Sequence, residues 1–135
     1  MATAPFEYKV TIKESHIDSY GHVNNAMYLT LYEEARWESI TPRGYGFYEI
    51  HKLKKGPVIL DVNLKFMKEI RLRETITITL ELLNYKGKVG QMLQRMVKED
   101  GTVASEAVFT FGLFDMEKRK LIDATPEWKQ AIGAE

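Results

Sequence analysis

Apolar and polar residues alternate over 6–13, with Phe6, Tyr8, Val10 and Ile12 set against Glu7, Lys9, Thr11 and Lys13. A period of two predicts a strand with one covered face. A polar stretch follows over 14–24, and then the period changes. Met27, Tyr28, Leu31, Tyr32 and Ala35 recur at helical spacing, with Glu33, Glu34, Arg36 and Glu38 on the wet side. This predicts a helix from about Asn25 to Ile40, capped by Asn24 or Asn25 and ended by Pro42 and Gly44. Residues 45–52 read as a short helical turn and 54–57 as a loop.

Strand patterns fill most of the remainder. Over 58–67, Val58, Leu60, Val62, Leu64 and Phe66 alternate with Ile59, Asp61, Asn63, Lys65 and Met67. Residues 74–83 carry the β-branched run Thr75 to Thr79, and Asn84-Tyr85-Lys86-Gly87 reads as a hairpin turn into a strand over 88–98. Glu99-Asp100-Gly101-Thr102 is a second hairpin signal, because Asp-Gly suits the positive φ angles of a tight turn. Val103, Ser105, Ala107, Phe109, Phe111 and Leu113 then share one face of a long strand, and 126–132 read as a short helix. The predicted class is α+β: a curved antiparallel sheet of five to six strands, at least four of them in a meander, wrapped around one long apolar helix.

Composition narrows the function. At 135 residues, with 44% hydrophobic and 28% charged residues, the chain suits a single globular domain over 1–135. Lysine plus arginine and aspartate plus glutamate each total 19, which argues against nucleic acid as a partner. With no cysteine there is no disulfide, thiolate metal site or cysteine nucleophile. No apolar run reaches membrane-spanning length, so no membrane partner is expected and the cytoplasm is the expected compartment.

The polar segment before the helix holds the candidate chemistry: Asp18, Tyr20, Gly21, His22, Asn24 and Asn25. An acid beside a glycine-bearing turn at a helix start places a base or nucleophile next to free backbone N–H groups. Such a pair can attack a carbonyl and hold the charge that develops on it. Each residue also has a plainer use. Asp18 suits an Asx turn, Gly21 a turn, Asn25 a helix cap, and His22 a local hydrogen bond. No second metal ligand stands at motif spacing from His22, so no metal is expected.

The run Asp18-Ser19-Tyr20-Gly21-His22-Val23-Asn24-Asn25-Ala26-Met27-Tyr28-Leu29, followed by Glu33-Glu34-Ala35-Arg36, resembles the signature of hotdog-fold acyl thioesterases. The 4-hydroxybenzoyl-CoA thioesterase family is the group it most resembles, with more distant similarity to plant acyl-ACP thioesterases. The order of elements matches from about Phe6 to Asp123. The resemblance implies hydrolysis of an acyl thioester of coenzyme A, with Asp18 as nucleophile or general base. Backbone N–H groups around Gly21 to Val23 would polarise the carbonyl. Asp18 and His22 match the plant pattern, and Glu69 aligns with a plant catalytic glutamate. Tyr20 and Ile70 stand where the plant enzymes have asparagine and cysteine, and Asn25 where several bacterial relatives have histidine.

The expected catalytic set is therefore Asp18, His22 and Asn25, with Tyr20, Gly21, Val23, Phe66 and Glu69 around the substrate. Glu33 and Glu34 are reserve acids. Coenzyme A carries phosphates, which makes Arg71, Lys86 and Lys88 candidate partners for its nucleotide end. No cofactor is expected beyond the coenzyme A of the substrate itself. The family builds its site across a homodimer, usually doubled to a homotetramer, and an open sheet edge agrees with such pairing. Two rivals remain: an acyl-ACP thioesterase, and a non-catalytic acyl-CoA binding protein of the same fold.

Overall fold

A computed structural model describes residues 5–134 and gives the α+β arrangement expected of a hotdog fold. β1 (Phe6–Thr11) precedes the long helix α1 (Asn25–Ile40) and the short α2 (Phe47–Leu53). β2 (Lys55–Phe66), β3 (Thr75–Lys86), β4 (Val89–Lys98), β5 (Val103–Asp115) and β6 (Lys120–Ile122) follow, and α3 (Pro126–Ile132) comes last. All pairings are antiparallel, in the order β1-β3-β4-β5-β2, with β6 paired to the end of β5. Among the described residues no helix is long and apolar enough to cross a membrane.

α1 lies on the inner face of the sheet. Leu31, Tyr32 and Ala35 are fully buried, as are Ile76 and Ile78 of β3, Met96 of β4 and Ala107 of β5. Each large apolar side chain buried in this way contributes about 1.5–3 kcal/mol. The core also holds polar groups, all of them partnered. Tyr32 Oη donates to Ser105 Oγ at 2.7 Å, and Gln94 Nε2 donates to the Tyr32 carbonyl at 3.1 Å. The cap of α1 is Asn24, whose Oδ1 accepts from Ala26 N–H at 2.9 Å.

Three expectations need correcting, and one short strand is added within the expected five to six. Lys55, Gly56 and Pro57 belong to β2 and not to a loop, because they pair with Asp115, Phe114 and Leu113. The β3–β4 turn is Gly87-Lys88, since Asn84, Tyr85 and Lys86 continue the ladder past a bulge at Leu83. β6 carried too short a pattern to be read from the sequence. The meander comprises β3, β4 and β5 only: β2 pairs with β5 at the far edge.

That last correction builds the functional end of the molecule. Because β2 and β3 are not neighbours, residues 67–74 must cross the end of the sheet, and the crossing runs past the start of α1. Met67 and Lys68 N–H donate to the Ala104 carbonyl at 2.9 and 3.0 Å, and Arg73 N–H donates to the Ile12 carbonyl at 2.9 Å. Ile70, fully buried, plugs the middle of the crossing.

Candidate active site

Residues 17–23 form a small loop closed by a bridge between Ile17 and Val23, and His22 bridges in turn to Arg71 of the crossing segment. Gly21 turns the chain at φ 83°, a value that side chains with a Cβ rarely adopt. Within this loop the Asp18 carboxylate is half-buried, and its Oδ1 accepts from Tyr20 N–H at 2.9 Å and His22 N–H at 3.4 Å. Oδ2 receives no hydrogen bond from the described residues.

Following the N–H groups into the helix shows which donors already have acceptors. Gly21 N–H donates to the Asp18 carbonyl at 3.1 Å, Val23 to Ile70 at 2.8 Å, and Asn24 to His16 at 3.0 Å. Ala26 and Met27 N–H are taken by Asn24, through its side chain and its carbonyl. Asn25 N–H, the first of α1, finds no acceptor among the described residues. It stands at the positive end of the helix dipole, where a developing negative charge is stabilised.

Of the Gly21 to Val23 N–H groups expected to polarise the carbonyl, Gly21 and His22 donate to Asp18 and Val23 donates to Ile70. Among the described residues the helix-start donor left without an acceptor is Asn25 N–H, two residues beyond Val23. Local sequence shows the Asx turn and the asparagine cap, but the loss of the Val23 N–H to Ile70 depends on the long-range placement of the crossing segment.

Asp18, His22, Val23, Asn25, Phe66 and Glu69 all border one open groove of about 490 Å³. Phe66 of β2 meets Tyr28 of α1 edge-on, with ring centroids 4.9 Å apart, and the two form an apolar wall. Across the groove His22 Nε2 lies 3.1 Å from Glu69 Oε2, and Glu69 Oε1 accepts from Arg71 Nε at 3.1 Å. The Arg71 hydrogen bond, aided by the charge of His22, holds the Glu69 carboxyl below the usual carboxylate range. Tyr20 contributes its backbone only, because its side chain is 82% exposed and stands away from the groove.

Lys86 and Lys88 are not part of this arrangement within one chain. They sit at the β3–β4 turn, whereas the groove lies at the opposite end of β3, about 36 Å away along the strand at 3.3 Å per residue. The sequence carried no information on which end of the sheet a turn occupies. The cations that do gather beside the groove are Lys68, Arg71 and Lys98, which line an adjoining depression with Glu69 and Glu74. Lys68 and Lys98 were not singled out from sequence. Glu33 and Glu34 are exposed on α1 and do not line the groove.

A sequence model described as the thioesterase-like superfamily matches residues 10–132. Long-chain acyl-CoA thioesterase FadM of Escherichia coli K12 is 29% identical over 126 residues, covering 92% of this chain and 94% of that protein. Acyl-CoA thioester hydrolase YbgC of Escherichia coli O6:H1 is 24% identical over 107 residues, covering 79% and 80%. Among solved structures, protein SAV2348 of Staphylococcus aureus, in complex with CoA, has a TM-score of 0.90 at 21% identity. The match covers 98% of this chain and 84% of that one, and it is a likeness of fold.

Proposed function

This chain belongs to the thioesterase-like superfamily, and from that premise we propose that it hydrolyses acyl-CoA thioesters in the groove at the start of α1. Thioester hydrolysis is the activity that unites its relatives, and this chain is a thioester hydrolase. One observation carries the assignment of the chemistry. Asp18, whose Oδ2 has no partner among the described residues, and Asn25, whose N–H has no acceptor among them, border the same groove.

The reaction needs little more than these two groups. The thioester carbonyl oxygen takes the Asn25 N–H, and Asp18 acts as general base on water or as the nucleophile itself. In the base route the water oxygen bonds to the carbonyl carbon and its proton passes to Asp18. The C–S bond then breaks, and the proton goes to the departing thiolate of coenzyme A. A thiolate leaves readily, so no strong acid is required. His22 and Glu69 hold the loop against the crossing segment and so fix Asp18. Lys68 and Arg71 are the cations nearest to hand for the phosphates of coenzyme A.

A homodimer fits the same reading. β2 is an open edge strand of twelve residues whose apolar side chains stay exposed, Leu60 at 46% and Phe66 at 55% among them. Pairing with a second copy would cover that edge.

The test is free-thiol release from short, long and aromatic acyl-CoAs by the native protein and by Asp18→Ala. Native turnover that drops by roughly a hundredfold or more in the variant is the expected result. Equal turnover by both proteins would move the chemistry away from Asp18. Absence of turnover on every acyl-CoA, with turnover on acyl carrier protein thioesters, would change the carrier. Tight binding with no turnover on either would leave a binding protein.

A further inference from the structure

Arg36 is a half-buried cation with no carboxylate in direct contact among the described residues, and the nearest charge acting on it is that of Glu33, one turn earlier. It lies three turns into α1, with its guanidinium carbon 4.4 Å above the ring of Phe109 and Nη1 donating to Gln94 Oε1 at 3.0 Å. Gln94 is a neutral partner and is itself fully buried. Among the described residues the other half-buried arginine is Arg95, and it has the Glu106 carboxylate at 3.2 Å. Arg36 has no carboxylate within salt-bridge distance among the described residues. A guanidinium carries five N–H donors, and here one is used. Burial lowers the Arg36 pKa to about 10, which leaves it charged at neutral pH.

The guanidinium borders a cavity of about 120 Å³ between the second half of α1 and the inner face of the sheet. Its walls are mainly apolar, with Trp37, Ile40, Ile59, Leu82 and Phe111 among them. Glu33 stands on its rim, exposed and one turn earlier on the helix.

A row of apolar side chains on β2 lies between this cavity, which Ile59 borders, and the groove, which Phe66 borders. Phe66, Val62 and Ile59 of β2 pair with Ser105, Phe109 and Phe111. Directly opposed residues share a face, so all three lie on the inner side of the sheet. They are nevertheless 55%, 38% and 39% exposed. Eleven residues separate Asn25 from Arg36, about 16 Å along the helix axis at 1.5 Å each, or roughly a dozen carbons of extended chain.

We propose that this apolar row and the cavity hold the acyl chain, and that Arg36 recognises a carboxylate at its far end. The preferred substrates are then ω-carboxyacyl thioesters of about a dozen carbons. This inference rests on the thioesterase reading of the Asp18 groove, since the distance is counted from the Asn25 N–H. A methyl-ended chain fills the apolar walls but leaves the guanidinium with the neutral Gln94 as its hydrogen-bond partner. A carboxylate end supplies an anion in direct contact and can accept two of its N–H groups in parallel. Glu33 opposes that anion from the rim.

Binding can be read without turnover. The chain has two tryptophans, Trp37 and Trp128, and both border the cavity. Tryptophan fluorescence of the native protein titrated with dodecanedioate and with dodecanoate should show the diacid binding about tenfold more tightly or better. Arg36→Met should reverse that order, Arg36→Lys should keep part of it, and Glu33→Gln should enhance it. If Arg36→Met fails to fold, the Arg36→Lys and Glu33→Gln titrations decide. Equal binding of the two acids by the native protein would overturn the proposal, as would a ratio that Arg36 substitution leaves unchanged. Thiol release from dodecanedioyl-CoA and dodecanoyl-CoA separates the two readings. Discrimination in binding with no release from either would remove the thioesterase reading alone, and release at equal efficiency would remove this inference alone.

Discussion

At the start of α1 the Asp18 carboxylate accepts from Tyr20 N–H at 2.9 Å and His22 N–H at 3.4 Å, while at the end of β5 the Asp115 carboxylate accepts from Glu117 and Lys118 N–H, both at 2.9 Å. Both aspartates organise a turn by the same device, a side-chain oxygen standing in for a backbone acceptor. Their surroundings separate them. Asp115 is 6% exposed and seals the β5–β6 turn, and the Lys118 N–H keeps its carboxyl below the ordinary range. Asp18 is half-buried, opens on a groove, and is followed by a helix whose first N–H is unclaimed. An Asx turn is a structural device by default. What supports the catalytic role proposed for Asp18 is that its turn borders a groove shared with Asn25, whose N–H finds no acceptor among the described residues.

The strongest way to break this comparison is to make the same isosteric change at both sites. Asparagine keeps the acceptor that holds each turn and removes the basic oxygen. Asp18→Asn should lower kcat by about 10²–10⁴ and leave the melting temperature nearly unchanged. Asp115→Asn should do the reverse, leaving turnover close to native and lowering the melting temperature by a few degrees, because a charge-assisted hydrogen bond is replaced by a neutral one. Steady-state thiol release and calorimetry on both variants provide the check. Equal losses of activity would mean that Asp18 matters only for the turn.

A somewhat smaller effect tests the unclaimed donor. Asn25→Pro deletes that N–H at the first position of a helix, where proline is well tolerated. The residue before it, Asn24, already has the extended geometry that precedes a proline, with φ −62° and ψ 139°. Helix and cap should survive, and kcat should drop by about 10²–10³ with little change in melting temperature. Asn25→Ala keeps the N–H and removes the side chain, so it should cost far less. If the two variants lose equally, the side chain is the active group and the oxyanion donor lies elsewhere.

The sequence was informative where a short segment decides the outcome. α1, its Asn24 cap, the Asp-Gly hairpin and the Asp18 turn depend on residues within a few positions of one another, and all can be read locally. Partnerships across the sheet could not be read in this way. Strand 58–67 has the same alternating pattern whether it pairs with the strand after it or with the last long one, and only the completed sheet distinguishes them. Because β2 goes to the far edge, the 67–74 crossing brings Glu69 to His22 across 47 positions of chain. For the same reason Lys86 and Lys88, plausible by charge alone, end up away from the groove. Arg36 was read as part of a wet helix face, since nothing in its spacing revealed that Phe109 and Gln94 would enclose it.

The smallest effect sharpens the comparison from the Glu69 side, the one tie that depends on this long-range placement. Its carboxyl is held below the usual range, first by the Arg71 hydrogen bond and then by the charge of His22. A carboxylate with a depressed native pKa favours the folded state at any pH above its unfolded value. That contribution is lost as pH falls through the native value. Glu69→Gln removes the charge at every pH. The variant should therefore melt slightly below the native protein at pH 6, by a few degrees at most since the pair is exposed, and the two should converge as pH drops below the ordinary carboxylate range. Melting curves from pH 3 to 7 test this. A gap that persists undiminished at the acid end would mean that Glu69 acts through packing rather than charge. A gap absent throughout, together with reduced turnover, would place its role in aligning His22 and the Asp18 loop rather than in holding the crossing segment to the fold.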